Sequence, residues 1–357
     1  MSCVNDIVDK LINNQRINFD ESLMLYEKAD FLTLGDLAHK KRMTRHPEHD
    51  VTFVIDRNIN YTNVCVSGCR FCAFYRSKHH ADAYVISEND LFQKIQETIQ
   101  LGGTQILIQG GMHPDLNLTY YLNLLQFIKT HFPTIHIHGF SPPEIFFIAQ
   151  KEKRNIQDII FALHQAGLDS IPGGGAEILC DDIRNDISPN KCMSDAWLNV
   201  MKSAHHIGMK SSATMMFGHI EKPNHIVSHL IKIRSLQDET NGFTAFIPWT
   251  FQPQNTTLSV KTKTAAEYLK VLALSRLILD NVSNIQASWV TQGAKIAQFA
   301  LFFGANDLGS TMIEENVVAA AGVNFRLPLK EMIRLIHDAG FTPKQRNCYY
   351  QIVKTYG

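Results

Sequence analysis

The sequence predicts an α/β fold, a (β/α)8 barrel of the TIM type with a helical lead-in and a short C-terminal extension, on three observations. From about residue 51, short β-rich apolar runs alternate with longer stretches of helical periodicity, the pattern of a parallel sheet joined by crossover helices. The β-rich runs number eight, the count at which such a sheet closes on itself. No G-x-G-x-x-G follows the first run, so the doubly wound dinucleotide fold lacks its fingerprint.

Residues 1–50 read as a helical segment packed on the barrel, including "NFDESLMLYEKA" with Asp20 placed to cap its helix. The barrel proper is expected over 51–325. Its strands are the runs "VTFVIDRNI", "TQILIQGG", "IHIHGF", "LDSIPGG", "SSATMMFGH", "FTAFIPW", "NIQASW" and "FGAND". Between them, stretches such as "NDLFQKIQETIQLGG" repeat apolar residues at helical spacing and end at glycines suited to a C-cap. Residues 326–357 read as a helix and then a short closing strand, "CYYQIVK".

Lysine plus arginine equals aspartate plus glutamate at 34 each. No net positive field exists to hold a polyanion, so nucleic acid is not an expected partner. No stretch approaches the roughly 18 uninterrupted apolar residues of a membrane span, and the N-terminus lacks an apolar signal region. A cytoplasmic location is expected. In a reducing compartment a tight group of cysteines points to metal or catalysis rather than to disulfides.

Three of the seven cysteines fall within "CVSGCRFC", at Cys65, Cys69 and Cys72. Cys3, Cys180, Cys192 and Cys348 are scattered and read as ordinary small residues. The cluster lies on the loop after the first strand, at the barrel face where such enzymes place their chemistry. Structural zinc takes four protein ligands, commonly two separated pairs, and no second pair follows. Three thiolates suit an iron–sulfur cluster short of its usual fourth cysteine. A distant cysteine or a small molecule must then complete it.

This C-x-x-x-C-x-x-C loop resembles that of the radical S-adenosylmethionine superfamily. The resemblance implies one 4Fe-4S cluster on Cys65, Cys69 and Cys72, with S-adenosyl-L-methionine on the open iron. It further implies that Phe71 lies beside the adenine and that Gln109, Gly110 and Gly111 hold the cofactor's amino group. Longer strings, among them "DRNINYTN", "QGGMHPDL", "HGFSPPEI", "IPGGGAEIL", "GHIE" and "ASWVTQG", resemble one branch, the cyclic dehypoxanthine futalosine synthases of the futalosine route to menaquinone. That branch implies dehypoxanthine futalosine as substrate and a low-potential electron donor such as flavodoxin or ferredoxin. Aminofutalosine synthase and the deazaflavin-cofactor synthases share the loop and the barrel. A non-catalytic iron–sulfur sensor is the alternative of another class, and neutral charge without a helix-turn-helix signal counts against it.

Candidate residues follow the strand ends. Glu144 sits in "SPPEI", as a ligand for substrate or as a helix cap. Glu177 follows glycines that permit close backbone approach, and Arg184 has the fork geometry to pair with the methionine carboxylate. His113, His138 and His219 are candidate proton acceptors. His219 with Glu221 supplies metal-ligand types without completing a site. Asn306 and Asp307 at the eighth strand are within reach of substrate or form a polar turn, and Trp249 and Trp289 are expected to pack in the barrel.

Overall fold

The computed structural model describes residues 3–323 and 325–357. Three helices, Val4–Ile12, Phe19–Lys28 and Phe31–Arg45, lead into strand β1 (Asp50–Val54), which continues past Ile55 into β2 (Asp56–Asn60). The strands that follow are β3 (Gln105–Gln109), β4 (His136–Gly139), β5 (Ser170–Ile171), β6 (Lys210–Phe217), β7 (Phe243–Thr250), β8 (Asn284–Ile285) and β9 (Asp307–Ser310). Strands β2 to β8 pair in sequence order and every pair is parallel.

Strand β9 closes the ring. Asn306 N donates to Ile285 O at 3.1 Å and Ala287 N to Asp307 O at 2.9 Å on one side. On the other, Thr311 N donates to Val54 O at 2.9 Å and Ile313 N to Asp56 O at 3.2 Å. The expected eight-position barrel is present. Its extension differs in detail: β10 (Thr342–Arg346) runs parallel to β1, and the closing strand β11 is only Ile352–Thr355. Residues 348–351 of the run expected as one strand instead form the turn that leads into β11.

The strands alternate in an unusual sense. On β3, Ile106 and Ile108 are fully buried against the surrounding helices, while Gln105, Leu107 and Gln109 point into the lumen. Asp56, Asn58, His138, Ser212, Thr214 and Thr244 also face inward. A barrel of this kind is ordinarily filled by branched aliphatic side chains. Here polar side chains leave a cavity of about 280 Å³, near the lower end of small-molecule pockets.

Local signals set the helix starts. Ser87 accepts from Asp90 N at 3.1 Å to open Glu88–Gln100. In the second lead-in helix the cap is Asn18, whose side chain accepts from Glu21 N at 2.9 Å, rather than Asp20, which lies one residue inside. Glu21 returns the bond to Asn18 N, completing a capping box that Asp20 has no partner to make. The helix Pro142–Glu152 begins with two prolines where a helix tolerates them. Among the described residues, no helix is long and apolar enough to cross a membrane.

Candidate active site

The cysteine loop leaves the C-terminal end of β2 and is held by backbone bonds to its neighbours. Cys65 N donates to Arg76 O at 3.1 Å, Val66 N to Met112 O at 3.1 Å, Gly111 N to Thr62 O at 3.0 Å and Arg70 N to Ile187 O at 2.9 Å. Gly111 has no alternative, since a Cβ there would lie 2.1 Å from Val64 O and 2.8 Å from Cys65 Cβ. Gly68 turns the loop with φ +59°.

The sulfurs are prepared for negative charge. Cys65 Sγ accepts from Ser67 N at 3.4 Å and from Met112 N at 3.3 Å, and Ser67 Oγ lies 2.8 Å from Cys69 Sγ. Burial raises the Cys65 thiol and pushes Cys69 up to about 11, so metal is needed to hold them as thiolates. Lys191 is buried beside them, its Nζ 2.9 Å from Glu177 Oε1 and 5.0 Å from the centre of the Phe71 ring. Three thiolates on one loop suit a cluster, which holds each on a different iron.

Glu177, at φ +41°, adds a second observation in favour of a ligand here: its Oε2 is buried and has no hydrogen-bond partner, meeting only the more distant charge of Arg184 Nη1 at 3.8 Å. A buried acceptor left bare is costly unless a donor arrives, and the amino group of S-adenosylmethionine or a ribose hydroxyl is such a donor. The residues present fit an iron–sulfur cluster with S-adenosylmethionine beside it.

Several candidates prove to be committed to the protein itself. Arg184 is fully buried, with its guanidinium donating to the carbonyls of Cys192, Ala176 and Gly175. Holding a methionine carboxylate would require it to give those bonds up. Glu144 Oε1 receives Tyr61 Oη at 2.8 Å and Gly110 N at 3.0 Å, while Oε2 receives Ser141 N at 2.8 Å. It therefore anchors the Gly110–Gly111 turn rather than facing the lumen. His219 Nδ1 accepts from Ile220 N at 2.8 Å and Nε2 lies 3.2 Å from Met216 O, while Glu221 binds the backbone N–H of Gly218 and His219. The "GHIE" string is thus a self-satisfied turn. His113 Nδ1 accepts from Asp115 N at 3.1 Å, and neither it nor His219 or Glu144 lines the lumen.

The glycines before Glu177 are packed against protein. A Cβ on Gly173 would meet Ala213 backbone at 2.7 Å, one on Gly174 Gln109 Nε2 at 2.5 Å and one on Gly175 Pro143 at 2.3 Å. Asn306 binds Arg276 and Ile285 N, and Asp307 binds Arg346. His136 and His138 share the Ser170 hydroxyl at 2.7 Å each, with Cys348 Sγ 3.4 Å from it. Gln109, His138, Trp249 and Trp289 do border the lumen.

The residues that sequence reasoning missed are Lys191 at the cysteine loop and Asn58, Gln105 and Glu315 in the lumen wall. The "QILIQ" alternation of β3 was the available signal for the second group. Glu315 is held at the mouth, where its carboxylate accepts from the N–H groups of Val317, Val318 and Ala319.

Residues 59–233 match the radical SAM superfamily model and residues 240–356 the CofH/MqnC C-terminal region. The chain is an enzyme of the radical S-adenosylmethionine superfamily. It is 45% identical over 354 residues to a cyclic dehypoxanthine futalosine synthase from Halalkalibacterium halodurans, an alignment covering 99% of this chain and 96% of that one. It is 40% identical to a 5-amino-6-(D-ribitylamino)uracil–L-tyrosine 4-hydroxyphenyl transferase from Methanopyrus kandleri, covering 98% of each. In fold it resembles the FeFe-hydrogenase maturase HydG from Carboxydothermus hydrogenoformans, with TM-score 0.75 at 14% identity over 97% of this chain and 80% of that one.

Proposed function

We propose that the chain converts dehypoxanthine futalosine to its cyclic form in menaquinone biosynthesis. The observation that carries this reading is the 45% identity to a synthase of that name over nearly the whole chain. The polar lumen with two tryptophans in its wall suits a ligand that joins a sugar to an aromatic ring. Cys65, Cys69 and Cys72 would hold the cluster, and Glu177, Gln109 and the Gly110–Gly111 backbone would hold S-adenosylmethionine. Bound there, these groups would supply radical chemistry by one-electron cleavage of S-adenosylmethionine, directed at the C4' hydrogen of the ribose so that C4' can bond to the benzoate ring. The electron comes from a cytoplasmic low-potential donor of the flavodoxin or ferredoxin kind.

The protein's own part is orientation, exclusion of water and removal of one proton. Ring closure removes two hydrogens from the substrate, one as the C4' hydrogen and one as the ring proton, whose accompanying electron would return to the cluster, so that S-adenosylmethionine is the net oxidant. Glu315 is the proposed acceptor of that proton. It borders the lumen at its mouth, and burial raises its pKa, which makes the carboxylate a stronger base.

The test is anaerobic turnover with substrate deuterated at C4'. Deuterium in free 5'-deoxyadenosine is the expected result, and its absence from that product overturns the reading. The likeness to the tyrosine-cleaving transferase supports a second reading. Turnover of L-tyrosine with 5-amino-6-(D-ribitylamino)uracil, without turnover of dehypoxanthine futalosine, would establish that one instead. A radical adduct retaining the adenosyl group would point to aminofutalosine synthase chemistry.

A further inference from the structure

The two ends of the lumen differ in what they offer a ligand. Its floor lies where the strands begin, and the C-terminal segment Arg346–Tyr350 passes across it. Among the described residues, Arg346 is the only lysine or arginine in the wall. It is already taken, donating to Asp307 Oδ2 at 2.6 Å and Oδ1 at 3.0 Å and to Asn347 O at 3.2 Å. Asp56 stands nearby, receiving the Ser310 hydroxyl and Gln105 Nε2. A carboxylate pushed to this floor meets two carboxyl groups and no unpaired cation, so its desolvation has nothing to offset it.

Hydrogen-bond donors find the opposite situation. Gln105 Oε1 and Asn58 Oδ1 belong to side chains at least nine-tenths buried in the wall, and neither oxygen has a protein partner. Tyr350 Oη is likewise unpartnered and lines the same cavity. Two bare acceptors and a phenol call for ligand hydroxyl groups.

We infer that the substrate lies in the lumen sugar-first, with its ribose hydroxyls on Asn58, Gln105 and Tyr350 and its benzoate carboxylate toward the mouth. The inference rests on the function proposed above, since that substrate carries hydroxyls at one end and a carboxylate at the other. The orientation puts the ring carbons near the mouth, where Glu315 stands. It also presents C4' upward, toward the loop that bears the cysteines.

The experiment measures anaerobic binding to the cluster-reconstituted enzyme by equilibrium dialysis, using dehypoxanthine futalosine and its 2-deoxy and 3-deoxy analogues. At least one analogue is expected to bind wild type ten- to a hundredfold more weakly, the worth of one or two buried hydrogen bonds. Asn58→Leu or Gln105→Leu should weaken the full substrate by a similar factor yet bind the matching analogue as wild type does. Both analogues binding wild type within threefold of the parent overturns the inference without any variant. Variants that keep the full affinity, or in which losing a hydroxyl costs as much as in wild type, overturn it as well. Wild type that neither binds nor turns over dehypoxanthine futalosine overturns the proposed function itself, whereas turnover with unchanged variants overturns the orientation alone.

Discussion

Lys191 donates to Glu177 Oε1 at 2.9 Å, in a buried pair whose other carboxylate oxygen has no hydrogen bond and lies 3.8 Å from Arg184 Nη1. Burial pulls the ammonium down, but the Cys69 sulfur and the Glu177 carboxylate outweigh it and hold Lys191 above its ordinary pKa. One cation thus stands between Glu177 and the cysteine loop.

Replacing Lys191 by Gln removes the 2.9 Å partner of Glu177 and leaves Arg184 Nη1 at 3.8 Å, a loss of about 1–3 kcal/mol for a charge that keeps one cation. Chemical denaturation should show a loss of that order. The cluster should also become harder to reduce, because a nearby positive charge favours the extra electron. An electron paramagnetic resonance redox titration of the variant should give a more negative midpoint, and an unchanged midpoint would separate Lys191 from the cluster.

Gly111→Ala places a methyl group against Val64 O and Cys65 Cβ, both fixed by the loop's backbone bonds. The variant should reconstitute with little iron while keeping its far-ultraviolet circular dichroism. Gly68→Ala meets nothing within 4 Å and suffers only from its positive φ. It is expected to keep most of its iron and lose about 1 kcal/mol of stability.

If Glu315 takes the ring proton, Glu315→Gln should lower the rate of cyclic product by about 10²–10⁴-fold. Cleavage of S-adenosylmethionine should continue in the variant, because the acid acts after the C4' hydrogen has gone. Counting 5'-deoxyadenosine against cyclic product by chromatography checks this. A variant that loses both together places Glu315 elsewhere in the mechanism.

Burial lowers His229 to about 3 and His205 to about 4, so both are neutral in the folded protein. A depressed pKa in the folded state means that the unfolded chain binds the extra proton. Their contribution is therefore intact above pH ~6.5 and is lost as pH falls toward those values. Between pH 6.5 and 5 each imidazole should remove up to about 2 kcal/mol. Urea midpoints for wild type and His205→Gln should converge on acidification, and parallel curves would contradict the assignment.

The strands were legible because β-branched runs alternate with amphipathic stretches over most of the chain, and the spacing of "CVSGCRFC" pointed to metal rather than disulfide, with the surrounding strings narrowing it to the superfamily. Arg184, Glu144 and His219 stayed ambiguous in the sequence because their residue types serve equally well as ligands and as internal fasteners. Only the carbonyls around Arg184 or the N–H groups around Glu144 tell the two uses apart, and those come from other segments. Lys191 was hidden for a related reason: its partners Glu177, Phe71 and Cys69 lie 14 to 122 residues away in sequence. Asn58 and Gln105 could have been flagged, since polar residues at every second position of a buried strand imply a wet interior.

The tail Arg346–Tyr350 turns the barrel into a vessel stopped at one end. Arg346, Cys348 and Tyr350 stand at its floor, so the door proposed for substrate is at the C-terminal ends of the strands. On the function proposed above, entry and exit at one end would impose a sequence: whichever guest lies deeper in the lumen is seated first and leaves last. Turnover in such a vessel is set as much by departures at the door as by events within.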